Sequence, residues 1–189
     1  MESDLVEMVL ADTRDRMAKA LDHVRAEFAT VRTGRASSAL VEGVLVDYYG
    51  TETPLKQLAN FSVPEPRLLV VSPFDKGSIN AIEKAISTAD LGLTPSNDGQ
   101  VIRLSFPVLT EERRREFVKL VKQRAEEGRV AIRGVRRHAR QEREGLEKEN
   151  EISSDELERV EKVLEKITQD GVAAVDALLA HKEQELLEV

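Results

Sequence analysis

Seven cationic side chains recur along one segment of this chain: Arg115, Lys122, Arg129, Arg133, Arg136, Arg140 and Arg143. Their spacings of three, four and seven residues are the steps that return a helix to the same face. At 100° per residue all of them fall within a wedge of roughly 80°. All but Lys122 are arginines. A guanidinium grips phosphate through two parallel N–H donors and stacks on bases, whereas an ammonium acts as a point charge. The stripe would extend ~40 Å along a helix, so the chemistry it offers is multipoint binding of a phosphate backbone. Arg129, Arg133, Lys122, Arg136 and Arg140 are the expected contacts. A plainer arrangement competes with this, in which acidic residues of 146–189 pair with the stripe across a helix bundle. Surface pairs of that kind contribute only ~0–1 kcal/mol each, so an arginine-dense row is a poor stabilising device.

The net charge of −7 conceals this footprint. Residues 110–145 hold 12 basic and 7 acidic side chains, whereas residues 146–189 hold 5 and 13. A cationic block inside an acidic chain suits a nucleic-acid face or a docking face for an acidic partner. Other chemistries find less support. The chain has no Cys, which excludes disulfides, thiolate metal sites and cysteine catalysis. His23, His138 and His181 stand apart, without ligand or triad spacing. Gly34 and Gly50 are isolated and build no phosphate loop. Tyr48 and Tyr49 end a strand and suggest no base-stacking platform. With no nucleophile–base constellation, the chain is expected to be a non-enzyme that uses neither cofactor nor metal.

The elements that must hold the stripe are long helices. Charged residues make up 33% and aromatics only 4% of the sequence, a balance that favours solvated helices over an aliphatic core. Residues 2–32 read as one helix, with Val6, Leu10, Met17, Leu21, Val24, Phe28 and Val31 forming a seam. A second runs from an N-cap at Thr110 to about Asn150, with Val121, Gly128, Ile132, Val135 and Ala139 facing inward. A third begins at Ser153 or Ser154 and reaches about Leu187, with Leu157, Val160, Leu164, Ile167, Ala174 and Leu178 on one face. Between the first two lies a Pro- and Gly-rich stretch. It has strands at Val44–Tyr49, Leu68–Val71 and Val101–Leu104 and a short helix over residues 77–89 carrying Ile79, Ile82 and Ile86.

The expected fold is therefore α+β. Residues 1–31 and 107–189 form a long three-helix bundle, and residues 32–106 are an inserted β/α/β domain. Its flanking linkers, 32–37 and 105–108, supply the hinge candidates Arg32, Thr33, Gly34, Arg35, Ser105, Phe106, Pro107 and Val108. The acidic start Met1-Glu2-Ser3-Asp4 lacks a signal-peptide pattern, and no apolar run approaches the ~20 residues that span a bilayer. A soluble, cytoplasmic protein with no membrane partner is expected.

Several stretches resemble the ribosome recycling factor family. They are Arg32-Thr33-Gly34-Arg35-Ala36, Leu109-Thr110-Glu111-Glu112-Arg113-Arg114 and Arg129-Val130-Ala131-Ile132-Arg133. Asp47-Tyr48-Tyr49-Gly50, Asn97-Asp98-Gly99 and His181-Lys182-Glu183 also fit in order. The resemblance spans essentially the whole chain. It implies an L-shaped monomer with a mobile elbow that binds the post-termination ribosome against large-subunit rRNA. It also implies that elongation factor G, consuming GTP, acts with it to split the subunits, with no role for DNA. In the matching motifs Arg129 and Arg133 are RNA contacts, and Arg32 and Gly34 belong to the hinge. One departure is Gly134, where the family usually places Asn; another is His138. The alternative reading is a structural adaptor whose stripe docks an acidic protein.

Overall fold

The computed structural model describes residues 4–188. Its described residues form two compact units. One comprises those of Met1–Phe28 and Glu116–Leu187, the other those of Ala29–Arg115 and Glu188–Val189.

The first unit is built from three helices: α1 (Asp4–Ala29), α3 (Glu111–Lys148, its first turn counted with the other unit) and α4 (Ser154–Leu187). Along α1 the seam residues Val6, Leu10, Met17, Val24 and Phe28 are buried. Thr13 occupies the seam between Leu10 and Met17, and its hydroxyl donates to the Val9 carbonyl at 2.7 Å, so no polar group is left unmatched. The helix ends at Ala29, short of the expected Arg32; Glu2 and Ser3, also expected to be helical, lie outside the described residues. Gly34 has φ +81, a left-handed conformation that terminates any helical course.

The Thr110 hydroxyl caps α3 by accepting from the Arg113 amide at 3.2 Å. At the other end Asn150 takes φ +57. The Glu151 and Asn150 amides donate back to the Leu146 and Glu147 carbonyls at 2.9 Å each, the paired bonds of a left-handed helix stop. Ser153 and Glu156 then open α4 with a reciprocal capping box: Glu156 N to Ser153 Oγ at 3.3 Å and Ser153 N to Glu156 Oε2 at 2.9 Å.

The helices share one core. Val6 and Leu10 of α1 pack with Ala139 of α3 and with Val160 and Leu164 of α4, and Ile152 seals the α3–α4 turn. Farther along, a Cβ placed on Gly128 would lie 2.4 Å from Val24 Cγ2, so α1 and α3 touch there because Gly128 has no side chain.

The second unit holds a hairpin of β1 (Leu45–Tyr48) and β2 (Thr51–Pro54) and a four-stranded antiparallel sheet. The sheet is ordered β3 (Ala59–Glu65), β4 (Leu68–Pro73), β6 (Ile102–Ser105), β5 (Thr94–Asn97). Register runs Leu69↔Leu104 and Val71↔Ile102 between the central strands, placing all four residues in the core. The helix α2 (Ile79–Thr88) contributes Ile79, Ile82 and Ile86 to the same core, with Val46, Leu55 and Phe106. The sheet exceeds expectation by β3 and β5. Both are edge strands, and they carry Pro64 and Pro95, which lack an amide to donate and are tolerated only at an edge. A bulge between Ser62 and Glu65 absorbs Pro64.

Candidate nucleic-acid interface

Exposure of the α3 cations follows their angle from the buried side of the helix. Arg143 sits about 20° from Ile132 on the wheel and its side chain is 9% exposed. Arg136 and Arg129, further round, are 25% and 20% exposed. Arg140, Arg133 and Lys122 reach 44%, 49% and 60%. The seven residues thus share a face, but the wedge is graded from core to solvent. Arg143, in the stripe but not among the expected contacts, donates to the Leu157 carbonyl at 2.8 Å and to Glu161 at 2.5 Å, and works as a tie between α3 and α4. Ala125, absent from the expected inner face, is fully buried, whereas Val135 is half-buried.

Most of the stripe is engaged by carboxylates. Arg129 donates through Nε and Nη2 to Asp176 at 2.8 and 2.7 Å, and through Nη1 to Glu126 at 3.1 Å. Hydrogen bonding to Asp176 holds the Arg129 guanidinium above its ordinary pKa. Arg140 chelates Glu161 through Nε and Nη2, with Nε distances of 2.9 and 3.1 Å, and this raises its pKa too. Arg136 reaches Glu161 at 3.4 Å and also pairs with Glu165. Glu161 therefore faces three guanidinium groups, and the bonds from Arg140 lead in pulling its pKa below the usual carboxylate range. Lys122 pairs with Glu183 at 3.3 Å.

Arg133 is different. Its partner is Glu126 of its own helix, at 2.6 Å, and no α4 carboxylate covers it. Beside it Arg137 is exposed and joins none of the ion pairs found among the described residues. Arg137 fell just outside the sequence wedge, and its position about 40° beyond Arg133 was the signal that could have included it. Val130, 56% exposed, and Gly134, with nothing within 4 Å of a would-be Cβ, complete an open strip.

The hinge candidates divide. Thr33 and Gly34 are buried, Arg32 is half-buried and Arg35 is exposed. The Arg32 guanidinium rests on Gly92, where a Cβ would stand 2.9 Å from Nη1. The Ala36 amide donates to the Pro66 carbonyl at 2.8 Å, and the Phe106 amide donates to the Arg67 carbonyl at 2.8 Å. Ser105 closes β6 and Phe106 is buried in the small unit's core, while Pro107 and Val108 are exposed. Each expected linker is thus tied to the β3–β4 turn by a backbone bond, at Ala36 and at Phe106.

This chain also matches known proteins along its length. The family described as ribosome recycling factor matches residues 24–187. The chain belongs to the ribosome recycling factor family. The ribosome-recycling factor of Cutibacterium acnes is 51% identical over 181 residues, covering 96% of this chain and 98% of the relative. That of Acidothermus cellulolyticus is 50% identical over 185 residues, covering 98% and 100%. Among solved structures, a solution structure of the ribosome recycling factor superposes with a TM-score of 0.78 at 41% identity, covering 97% of this chain and 98% of the other. Another comprises models for the T. thermophilus ribosome recycling factor and the E. coli elongation factor G bound to the E. coli post-termination complex. It gives a TM-score of 0.69 at 46% identity, covering 96% and 98%. The α+β fold of long helices and a small sheet unit is that of the family. Among the described residues no helix is long and apolar enough to cross a membrane.

Proposed function

We propose that this chain binds the post-termination ribosome through large-subunit rRNA. With elongation factor G and GTP, it then promotes dissociation of the subunits and release from mRNA. The observation that carries the reading is the exposed outer edge of the α3 stripe in a chain that matches the family almost end to end. Arg129, Arg133, Lys122, Arg136 and Arg140 contact the RNA, with Arg133 the member already facing solvent without an interhelical partner. Elongation factor G acts on the small unit, and residues 32–35 and 107–108 are the segments about which that unit turns. The protein works as a cytoplasmic monomer and contributes no bond chemistry of its own; the energy comes from the GTP consumed by its partner.

The test is subunit splitting. Post-termination ribosomes, this protein, elongation factor G and GTP are mixed and followed by light scattering. A loss of scattering that needs all components supports recycling. No loss, with a folded protein and a working control factor, removes the reading and favours an adaptor that docks an acidic protein. Within the recycling reading, Arg133→Ala should weaken ribosome binding by about tenfold, the loss of one charge-assisted phosphate contact, with an unchanged thermal melt. Equal binding of variant and wild type at matched salt takes Arg133 out of the site.

A further inference from the structure

The α3 arginines that the stripe brings together are held by carboxylates of a different helix. Asp176 receives Arg129 at 2.7 and 2.8 Å, Glu165 receives Arg136, and Glu161 receives Arg136 and Arg140. These carboxylates occupy guanidinium donors that a phosphate would use. They are also accessible: the Asp176 and Glu165 side chains are 55% and 42% exposed. An incoming phosphate backbone therefore meets acid before it meets Arg129 or Arg136. The surrounding segment adds to this, because residues 146–189 hold 13 acidic against 5 basic side chains. Arg133 and Arg137 lie on the outer side of α3 and are not covered by α4.

We propose that Asp176, Glu165 and Glu161 are specificity-determining residues. They act as internal stand-ins for phosphate, so that an RNA displaces them only when it also engages Arg133 and Arg137. The proposal rests on the RNA-binding reading given above. Discrimination between partners is a difference of affinities, and a built-in repulsive element lowers binding to wrong partners more than to the right one. A generic RNA duplex that touches Arg133 and Arg137 alone leaves the α4 carboxylates in place and gains little. A folded RNA surface shaped to the α3 edge gains the whole stripe.

The experiment uses the full chain and the double variant Asp176→Asn with Glu165→Gln. Both positions are exposed, and Glu161 is left in place because Arg143 depends on it. Binding to a mixed-sequence RNA duplex and to purified large ribosomal subunits is measured across a salt series. The double variant should bind the duplex about tenfold tighter than wild type, and its log K against log salt should steepen by about 2, for two newly available phosphate contacts. Large-subunit affinity should change by less, within about threefold, because a surface that engages the whole stripe already displaces both carboxylates in wild type. The charge-keeping pair Asp176→Glu with Glu165→Asp should retain wild-type duplex affinity. Equal duplex affinity of wild type and neutralised variant overturns the proposal, as does a large-subunit gain as great as the duplex gain. If wild type ignores ribosomal subunits while the neutralised variant gains duplex affinity and slope, the shielding role is upheld and the ribosomal reading falls.

Discussion

Gly128 and Gly134 occupy one helix but answer to different forces. At Gly128 the missing side chain is what lets Val24 approach, since a Cβ would lie 2.4 Å from its Cγ2. Gly134 has open space around it, so it brings only the backbone entropy cost of glycine in a helix, ~1 kcal/mol relative to Ala. Gly134→Ala should therefore raise the melting temperature by about 2–4 °C for a chain of this size. Gly128→Ala should lower stability by about 1–3 kcal/mol, the usual penalty of overpacking. Thermal melts of the two variants decide the matter, and an unchanged or lower melting temperature for Gly134→Ala sinks the argument. The same residue-level contrast separates Arg143 from Arg133. Both belong to the cationic wedge, yet about 80° of rotation makes one a buried tie to Glu161 and the other a solvent-facing cation. A wheel drawn from sequence places both angles correctly but cannot say which partner helix covers the nearer edge.

At the scale of elements, the long helices were legible because their signals were redundant. Heptad-like seams, the Thr110 cap and a capping serine at Ser153 or Ser154 agreed on where α3 and α4 run. The strands β3 and β5 were not, because Pro64 and Pro95 argue against a strand unless its place in the sheet is known, and edge position is a property of the assembled sheet. The turn between β5 and β6 was readable from Asn97-Asp98-Gly99, and its chemistry bears on pH. Asp98 accepts from the Val101 amide at 2.8 Å, the Gln100 amide at 2.9 Å and the Arg103 guanidinium at 2.6 Å. The Val101 bond leads in holding its carboxyl far below the ordinary range. A depressed folded pKa means that the unfolded chain takes up the proton first. The stabilisation is thus complete above the unfolded value of ~4 and is lost as pH falls through the folded value. Asp98→Asn should therefore melt below wild type at about pH 7, with the gap narrowing towards about pH 2. A gap that stays constant across that range would show that the charge of Asp98 has no part in it.

For the molecule as a whole, one unit interrupts the other along the chain, and how firmly the interruption is tied at its ends is not written in the sequence. That depends on backbone bonds, which side-chain patterns do not reveal. Ala36 and Phe106, at the two ends of the stretch that builds the small unit's core, are both bonded to the Pro66–Arg67 turn. The unit carries its own core from Val41 to Phe106, so a fragment spanning residues 30–109 should fold by itself with a cooperative thermal transition. A broad, non-cooperative melt of that fragment would show that it needs the helices.

Because both ends of that stretch meet at a single turn, the insert behaves as a parenthesis in the chain. It can be exchanged, lengthened or redrawn in evolution without changing the course of the sentence around it. Substitutions that alter the surface of the small unit need not disturb the long helices, and the two halves of the molecule are free to diverge at different rates.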